Sequence, residues 1–269
     1  MDYDGFVRTD GVEMWDAIRA AQLRFADLVT AVDPETPVRR STWTVRQVVG
    51  HVHTVLGRYT ERDLTQRDGL RADRAGVAAL NEEELDQVAD LSVPDLVGAI
   101  GERLDRIEGL FPRSADLTGE FPFHGGVTID GAGALGNLVG EFLMHGYDVA
   151  RTAHRGWRLD GRASAFVLNA GLQASPGYVR PDAPGDLSVE LRTPHTTPWL
   201  LDLRDGALVS RPSRRGDRPD LRMYGRTQAF LLNLYGRIGL TATTLHGATV
   251  IGGRRPWRLA RLPVSFERP

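Results

Sequence analysis

The sequence predicts an α plus α+β protein: a four-helix bundle, then a smaller α+β unit with a mainly antiparallel sheet. Three observations predict it. Apolar residues recur at helical spacing through the first 155 residues or so. Beyond that point the texture changes to short alternating or β-rich runs broken by Gly, Pro and Asp. The 269 residues also exceed one ordinary domain of about 150 residues and are enough to bury a core without disulfides. The expected boundary lies near residue 156, giving units 1–156 and 157–269, with no internal repeat.

The elements follow in order. Asp10 with Glu13 has the spacing of a capping box, and Val12, Trp15, Ile18, Leu23, Phe25 and Leu28 carry a helix to about Thr30. Thr44 and Gln47 open a second helix, whose stripe is Val45, Val48, Val49, Val52 and Leu56. The acidic run at 81–86 reads as a short solvated helix. Ser92, with Pro94 in the first turn, opens a third bundle helix through Leu96, Ile100, Leu104 and Ile107, ending before Pro112. The fourth spans about 133–154. A short helix at 163–174 precedes strands at 187–191, 199–203, 207–210 and 221–224, with Asp205-Gly206 as a hairpin turn. A helix at 227–238 and closing strands at 243–251 and 257–263 complete the chain.

Composition removes whole classes of mechanism. There is no cysteine, and all 33 basic residues are arginine. Thiol nucleophiles, Cys-ligated zinc, iron–sulfur clusters, Schiff-base lysines and P-loop NTPases are thereby excluded. A formal charge of −2 offers no basic field for nucleic acid or an anionic membrane. The start of the chain lacks the basic-then-apolar pattern of a leader, and no apolar run reaches the length of a membrane span. A cytoplasmic monomer is the expectation.

Residues 131–136, Gly-Ala-Gly-Ala-Leu-Gly, match a dinucleotide-binding GxGxxG, with Asp160 downstream. The preceding Phe-Pro-Phe-His-Gly-Gly cannot be the continuous apolar strand that such a site requires. The glycines therefore read as a loop and a helix start.

The chemistry concentrates on the fourth helix. Glu141, His145, Asp148 and Thr152 share one face, beside Leu138, Phe142 and Val149. A carboxylate and an imidazole one turn apart are a ready pair of metal ligands. Asp148 is placed to accept from His145 and fix its tautomer. A third ligand must come from another helix. His51 and His53 flank the apolar face of the second helix on opposite sides, and either can reach across. A His₂Glu set leaves a coordination position open, as catalytic zinc requires. His124, just ahead of the fourth helix, is a candidate for the cleft.

The stretches from Trp43 to His51 and from Glu141 to Arg151, Glu-Phe-Leu-Met-His-Gly-Tyr-Asp-Val-Ala-Arg, resemble the DinB-like metalloproteins. More narrowly, the chain resembles the mycothiol-dependent maleylpyruvate isomerase family over essentially its whole length. The resemblance implies a metal-binding bundle joined to a sterol-carrier-like C-terminal domain. It selects His51 over His53, and makes His51, Glu141 and His145 the ligands of a divalent metal, zinc foremost. It implies mycothiol as the thiol that the chain itself lacks. It also implies a helix-borne catalytic arginine approaching from the second domain, here Arg237 in Leu234-Tyr235-Gly236-Arg237. The expected function is mycothiol S-transfer or conjugation onto an electrophilic small molecule. Cis–trans isomerisation of the maleylpyruvate type and non-catalytic binding are the alternatives.

Overall fold

The structure is a computed structural model in which residues 5–267 are described; the first four residues of the segment read for a leader lie outside them. Helix α1 (Gly11–Thr30) starts where the Asp10 side chain accepts from the amides of Val12 and Glu13. Helix α2 (Val45–Thr60) opens on a complete Thr44–Gln47 capping box, which satisfies two otherwise orphaned amides. Helix α3 (Arg74–Asp86) is longer than the acidic run alone suggests. That run is only partly a solvated face, because Glu82 accepts from Trp43 Nε1 and Glu84 from Arg58. Helix α4 (Val93–Leu110) is capped by Ser92, with Pro94 in its first turn.

A two-stranded hairpin, β1 (Glu120–Pro122) with β2 (Thr128–Asp130), precedes helix α5 (Gly131–Thr152). The pairs α1–α5 and α2–α4 form the bundle. Met14, Trp15, Ile18, Val49, Leu56, Leu104 and Phe142 are fully enclosed at its centre. Val12 and Leu23, read as part of the α1 stripe, instead point outward. Trp15 satisfies its indole N–H on the carbonyl of Phe111, 2.8 Å away.

The GxGxxG glycines are the first two turns of α5, capped by Asp130. They serve the approach of helix α6 (Gly161–Ala174), which packs along α5. A Cβ on Gly136 would lie 2.5 Å from the carbonyl oxygen of Phe166.

The sheet consists of β3 (Leu187–Arg192), β4 (Trp199–Arg204), β5 (Ala207–Pro212), β6 (Leu221–Gly225) and β7 (Ala248–Gly252), in the order β5-β4-β3-β6-β7. Only β3 and β6 run parallel. Asp205 and Gly206, both at positive φ, make the β4–β5 turn. Helix α7 (Thr227–Leu234) stops four residues short of the sequence expectation. Gly236 takes the left-handed conformation, and the Arg237 amide donates back to the carbonyl of Leu232 at 2.7 Å, a Schellman stop.

The closing strands also differ. Residues 240–245 form a short helix, α8 (Leu240–Leu245), and only Ala248–Gly252 pairs with the sheet, after Gly247 at positive φ turns the chain. The 257–263 run is a 3₁₀ turn (Pro256–Arg261) leading into α9 (Leu262–Ser265). Pro256 and Pro263 have no amide to offer a strand ladder. Among the described residues, no helix is long and apolar enough to cross a membrane.

Candidate metal centre

Helix α2 carries His51 on the side that meets α5, and α5 presents Glu141 and His145 one turn apart. Glu141 Oε2 lies 3.5 Å from His51 Nε2 and 3.4 Å from His145 Nε2. One ligand atom from each of the three residues falls within 4.8 Å of the others. These separations exceed a charge-assisted hydrogen bond, which runs about 2.7–2.9 Å. The two Glu141–histidine distances match the edge of a tetrahedron with metal–ligand bonds of about 2.0–2.1 Å, for which neighbouring donors stand about 3.3–3.4 Å apart. Glu141 Oε2 is buried and makes no hydrogen bond. A buried carboxylate oxygen left without a donor between two imidazole nitrogens fits a divalent cation.

The protonation states suit ligation. Burial pushes the Glu141 carboxyl upward, but its contacts with His145 and His51 outweigh this and hold it well below the usual carboxylate range. Burial lowers His51, overriding the opposite pull of Glu141. An anionic carboxylate and a neutral imidazole are the forms that bind metal.

Surrounding groups fix the geometry. The Trp43 ring packs on His51 with centroids 4.8 Å apart. Asn137, one turn before Glu141, reaches Glu141 Oε1 at 3.5 Å and donates to Tyr59 Oη at 3.3 Å. Tyr59 Oη donates in turn to the carbonyl of Ala134. Sequence reading missed Asn137 and Tyr59, although both continue the functional faces: Asn137 is four residues before Glu141, and Tyr59 is eight after His51.

The remaining candidates are placed differently. His53 points to the other side of α2, toward Arg103 and Glu61, where burial above all holds it near pKa 4. Asp148 does not serve His145. Its carboxylate accepts from Arg237, Nε at 3.1 Å and Nη2 at 2.5 Å, and no hydrogen bond joins it to the imidazole. Arg237 sits just past the end of α7 rather than on it, with Nη1 on the carbonyl of Tyr235. His51 Nδ1 is buried without a partner, so the acceptor that a ligating histidine usually has is not supplied there. The cluster opens on a cavity of about 370 Å³, bordered by Trp43, Tyr59, His124, Tyr178, Tyr235 and Phe266.

A helical bundle that brings two histidines and a glutamate together beside a cavity, continued by a mixed sheet, defines a class of bundle proteins with a candidate His–Glu–His metal site. Residues 15–150 match the family model for the mycothiol maleylpyruvate isomerase N-terminal domain, and the chain belongs to that family. Its fold is similar to the crystal structure of the mycothiol-dependent maleylpyruvate isomerase, with a TM-score of 0.52 and 14% identity over 92% of this chain and 95% of that one. A histidine-to-alanine mutant of that isomerase matches with the same values. No curated protein matches the chain.

Proposed function

We propose that the chain is a divalent-metal-dependent enzyme that uses mycothiol as a nucleophile toward an electrophilic small molecule. The observation that carries this reading is the buried Glu141 Oε2 without a hydrogen-bond partner, between two imidazole nitrogens at the wall of a cavity. His51, Glu141 and His145 would hold the metal, and zinc suits this ligand set. When bound, such a metal lowers the pKa of a thiol at its open position, so that the nucleophilic thiolate is present at neutral pH. The chain has no cysteine, so the thiol must come from outside, and the family points to mycothiol.

The chain's own residues prepare this chemistry. Glu141 supplies one negative charge against the metal's two. Asn137, which also donates to Tyr59, reaches the other carboxylate oxygen, and Trp43 covers the His51 ring. Asp148 clamps Arg237 at the cavity edge, which makes Arg237 a residue that shapes the site.

Two outcomes share this site. Addition of sulfur to a conjugated cis double bond, rotation about the resulting single bond and loss of the same thiolate give the trans isomer and return the thiol. Family membership favours that outcome. S-transfer, which retains the new C–S bond, draws on the same residues and is the broader of the two readings. We propose that the protein acts on small molecules as a cytoplasmic monomer.

Metal content by mass spectrometry tests the proposal, followed by NMR of mycothiol with candidate electrophiles. About one metal per chain is expected, lost in His51→Ala. Wild-type protein that cannot be loaded with zinc would sink the reading.

A further inference from the structure

Three tyrosines border the cavity beside the His–Glu–His cluster: Tyr59, Tyr178 and Tyr235. A buried phenol usually finds a hydrogen-bond partner. Tyr59 has two, the side-chain amide of Asn137 and the carbonyl of Ala134. The hydroxyls of Tyr178 and Tyr235 have none among the described residues, and neither oxygen is fully enclosed, so both open to the cavity.

Tyr235 is held against the metal helix. A Cβ built on Gly140 would stand 3.6 Å from its Oη, so the hydroxyl lies on α5 at the residue next to Glu141. Its ring packs on the hydrophobic core. Its backbone is fixed from both sides: the amide donates to the carbonyl of Leu231 at 3.0 Å, and the carbonyl accepts from Arg237 Nη1 at 2.6 Å. Tyr178 belongs to a separate element, the 3₁₀ turn Ser175–Tyr178 that follows α6. A phenol is neutral at pH 7 and able to donate. Burial above all, with the Glu141 carboxylate nearby, pushes the Tyr235 phenol further up and keeps its proton in place. Glu141 is not its acceptor, because Oε2 makes no hydrogen bond and Oε1 is reached by Asn137. A rigid donor without an acceptor therefore faces the cavity beside the candidate ligands.

We infer that Tyr235 is a catalytic residue whose Oη–H donates to the carbonyl oxygen of an α,β-unsaturated carbonyl substrate and stabilises the negative charge that oxygen gains when sulfur adds. The role rests on the thiol-addition reading above. A lone pair of the thiolate forms the C–S bond at the β-carbon, the C=C π pair shifts to join the α-carbon to the carbonyl carbon, and the C=O π pair moves onto oxygen. The phenol keeps its proton throughout, and the pairs return when the thiolate leaves. A donor fixed in advance favours the enolate over the carbonyl, because a hydrogen bond to an ionised acceptor is roughly twice as strong. The contact is to this one oxygen and is indifferent to carboxylates elsewhere in the substrate.

Binding of an enolate mimic tests the contact without turnover. para-Nitrophenolate presents an oxyanion on a flat conjugated frame, and para-nitroanisole is the same frame with that oxygen methylated. Both are titrated by calorimetry into the zinc-treated full-length protein, Tyr235→Phe and Tyr178→Phe. Tyr235→Phe should weaken the phenolate by about 10- to 100-fold, the worth of a hydrogen bond to a charged acceptor. Nitroanisole binding and metal content should not change, and Tyr178→Phe should weaken the phenolate less. Wild-type protein that does not bind the phenolate, a phenolate held through the metal alone and so unaffected in Tyr235→Phe, a loss confined to Tyr178→Phe, or equal losses for phenolate and anisole would each overturn the inference. Turnover of mycothiol with benzalacetone separates the two ideas. Tyr235→Phe should lower kcat by about 100-fold, the effect of losing one oxyanion donor, and unchanged turnover in that variant removes the role of Tyr235 alone. Tyr235-dependent phenolate binding without metal uptake or thiol turnover removes the thiol reading, while the oxyanion contact stands.

Discussion

At Glu141, burial and partnership oppose one another. Enclosure favours the neutral acid, yet the two imidazoles keep the carboxylate ionised, and the free protein carries an anionic oxygen with no hydrogen bond. Such an atom is costly unless a cation meets it. Glu141→Gln keeps the shape and removes the charge, so zinc affinity should fall by at least about 100-fold, more than loss of a supporting group costs, as measured by competition with a chelator. His51→Ala should abolish loading and His53→Ala should leave it intact, because the two rings face opposite sides of α2. His124 gives a pH prediction. Its folded pKa of about 4 lies below the unfolded value of about 6.5, so the unfolded chain takes up the proton first. The stability due to neutral His124 is therefore fully present above pH 6.5 and is lost as pH falls through 4. In metal-free protein, His124→Phe should flatten that decline by up to about 1.4 kcal/mol per pH unit, seen in urea unfolding at several pH values between 4 and 7.

The helices were legible in the sequence because caps and 3.6-residue periodicity act locally: Asp10, Thr44 with Gln47, Ser92 and Pro94 mark helix starts that the structure contains. What was not legible depends on partners distant in sequence. Nothing near Asp148 reveals that Arg237, 89 residues on, takes its carboxylate. Nothing near Glu84 reveals that it accepts from Arg58. Residues 243–247 and 257–263 were misread because β-prone Thr, Val and Ile outweighed Gly247, Pro256 and Pro263, whereas the strand at 248–251 was legible. The glycines of α5 show the same limit, since a motif read as local punctuation is a tertiary contact. Gly136→Ala would press a Cβ to 2.5 Å from a backbone oxygen of α6 and should cost about 1–3 kcal/mol. Gly98→Ala, where an added Cβ meets nothing within 4 Å, should instead stabilise α4 by about 0.5–1 kcal/mol. Denaturant unfolding of the two variants side by side distinguishes close packing from a general intolerance of alanine.

For the whole molecule the question is whether the bundle and the sheet unfold together. One hydrophobic cluster runs from Trp15 and Phe142 in the bundle through Phe166 on α6 to Leu187 and Leu221 in the sheet. Polar ties cross the same join. Thr197, just before β4, bonds the carbonyl of Phe6 ahead of α1 through its amide at 2.8 Å, and Phe6 packs edge-on against Trp199. Arg162 on α6 pairs with Glu13 on α1, and Arg237 pairs with Asp148. Separating the halves would expose apolar surface and break these pairs together, so the free-energy cost of partial unfolding lies near that of global unfolding. A metal bound only to the native bundle should then stabilise the sheet as well. Zinc at 100–1,000 times its dissociation constant contributes about 2.7–4.1 kcal/mol, which for a chain of this size raises the midpoint by roughly 5–15 °C. Calorimetry with and without chelator should show one transition that moves as a unit. Two transitions, with only the first moved by metal, would mean instead that a boundary near residue 156 separates units that fold independently, and that the contacts across it orient the halves without coupling their stability.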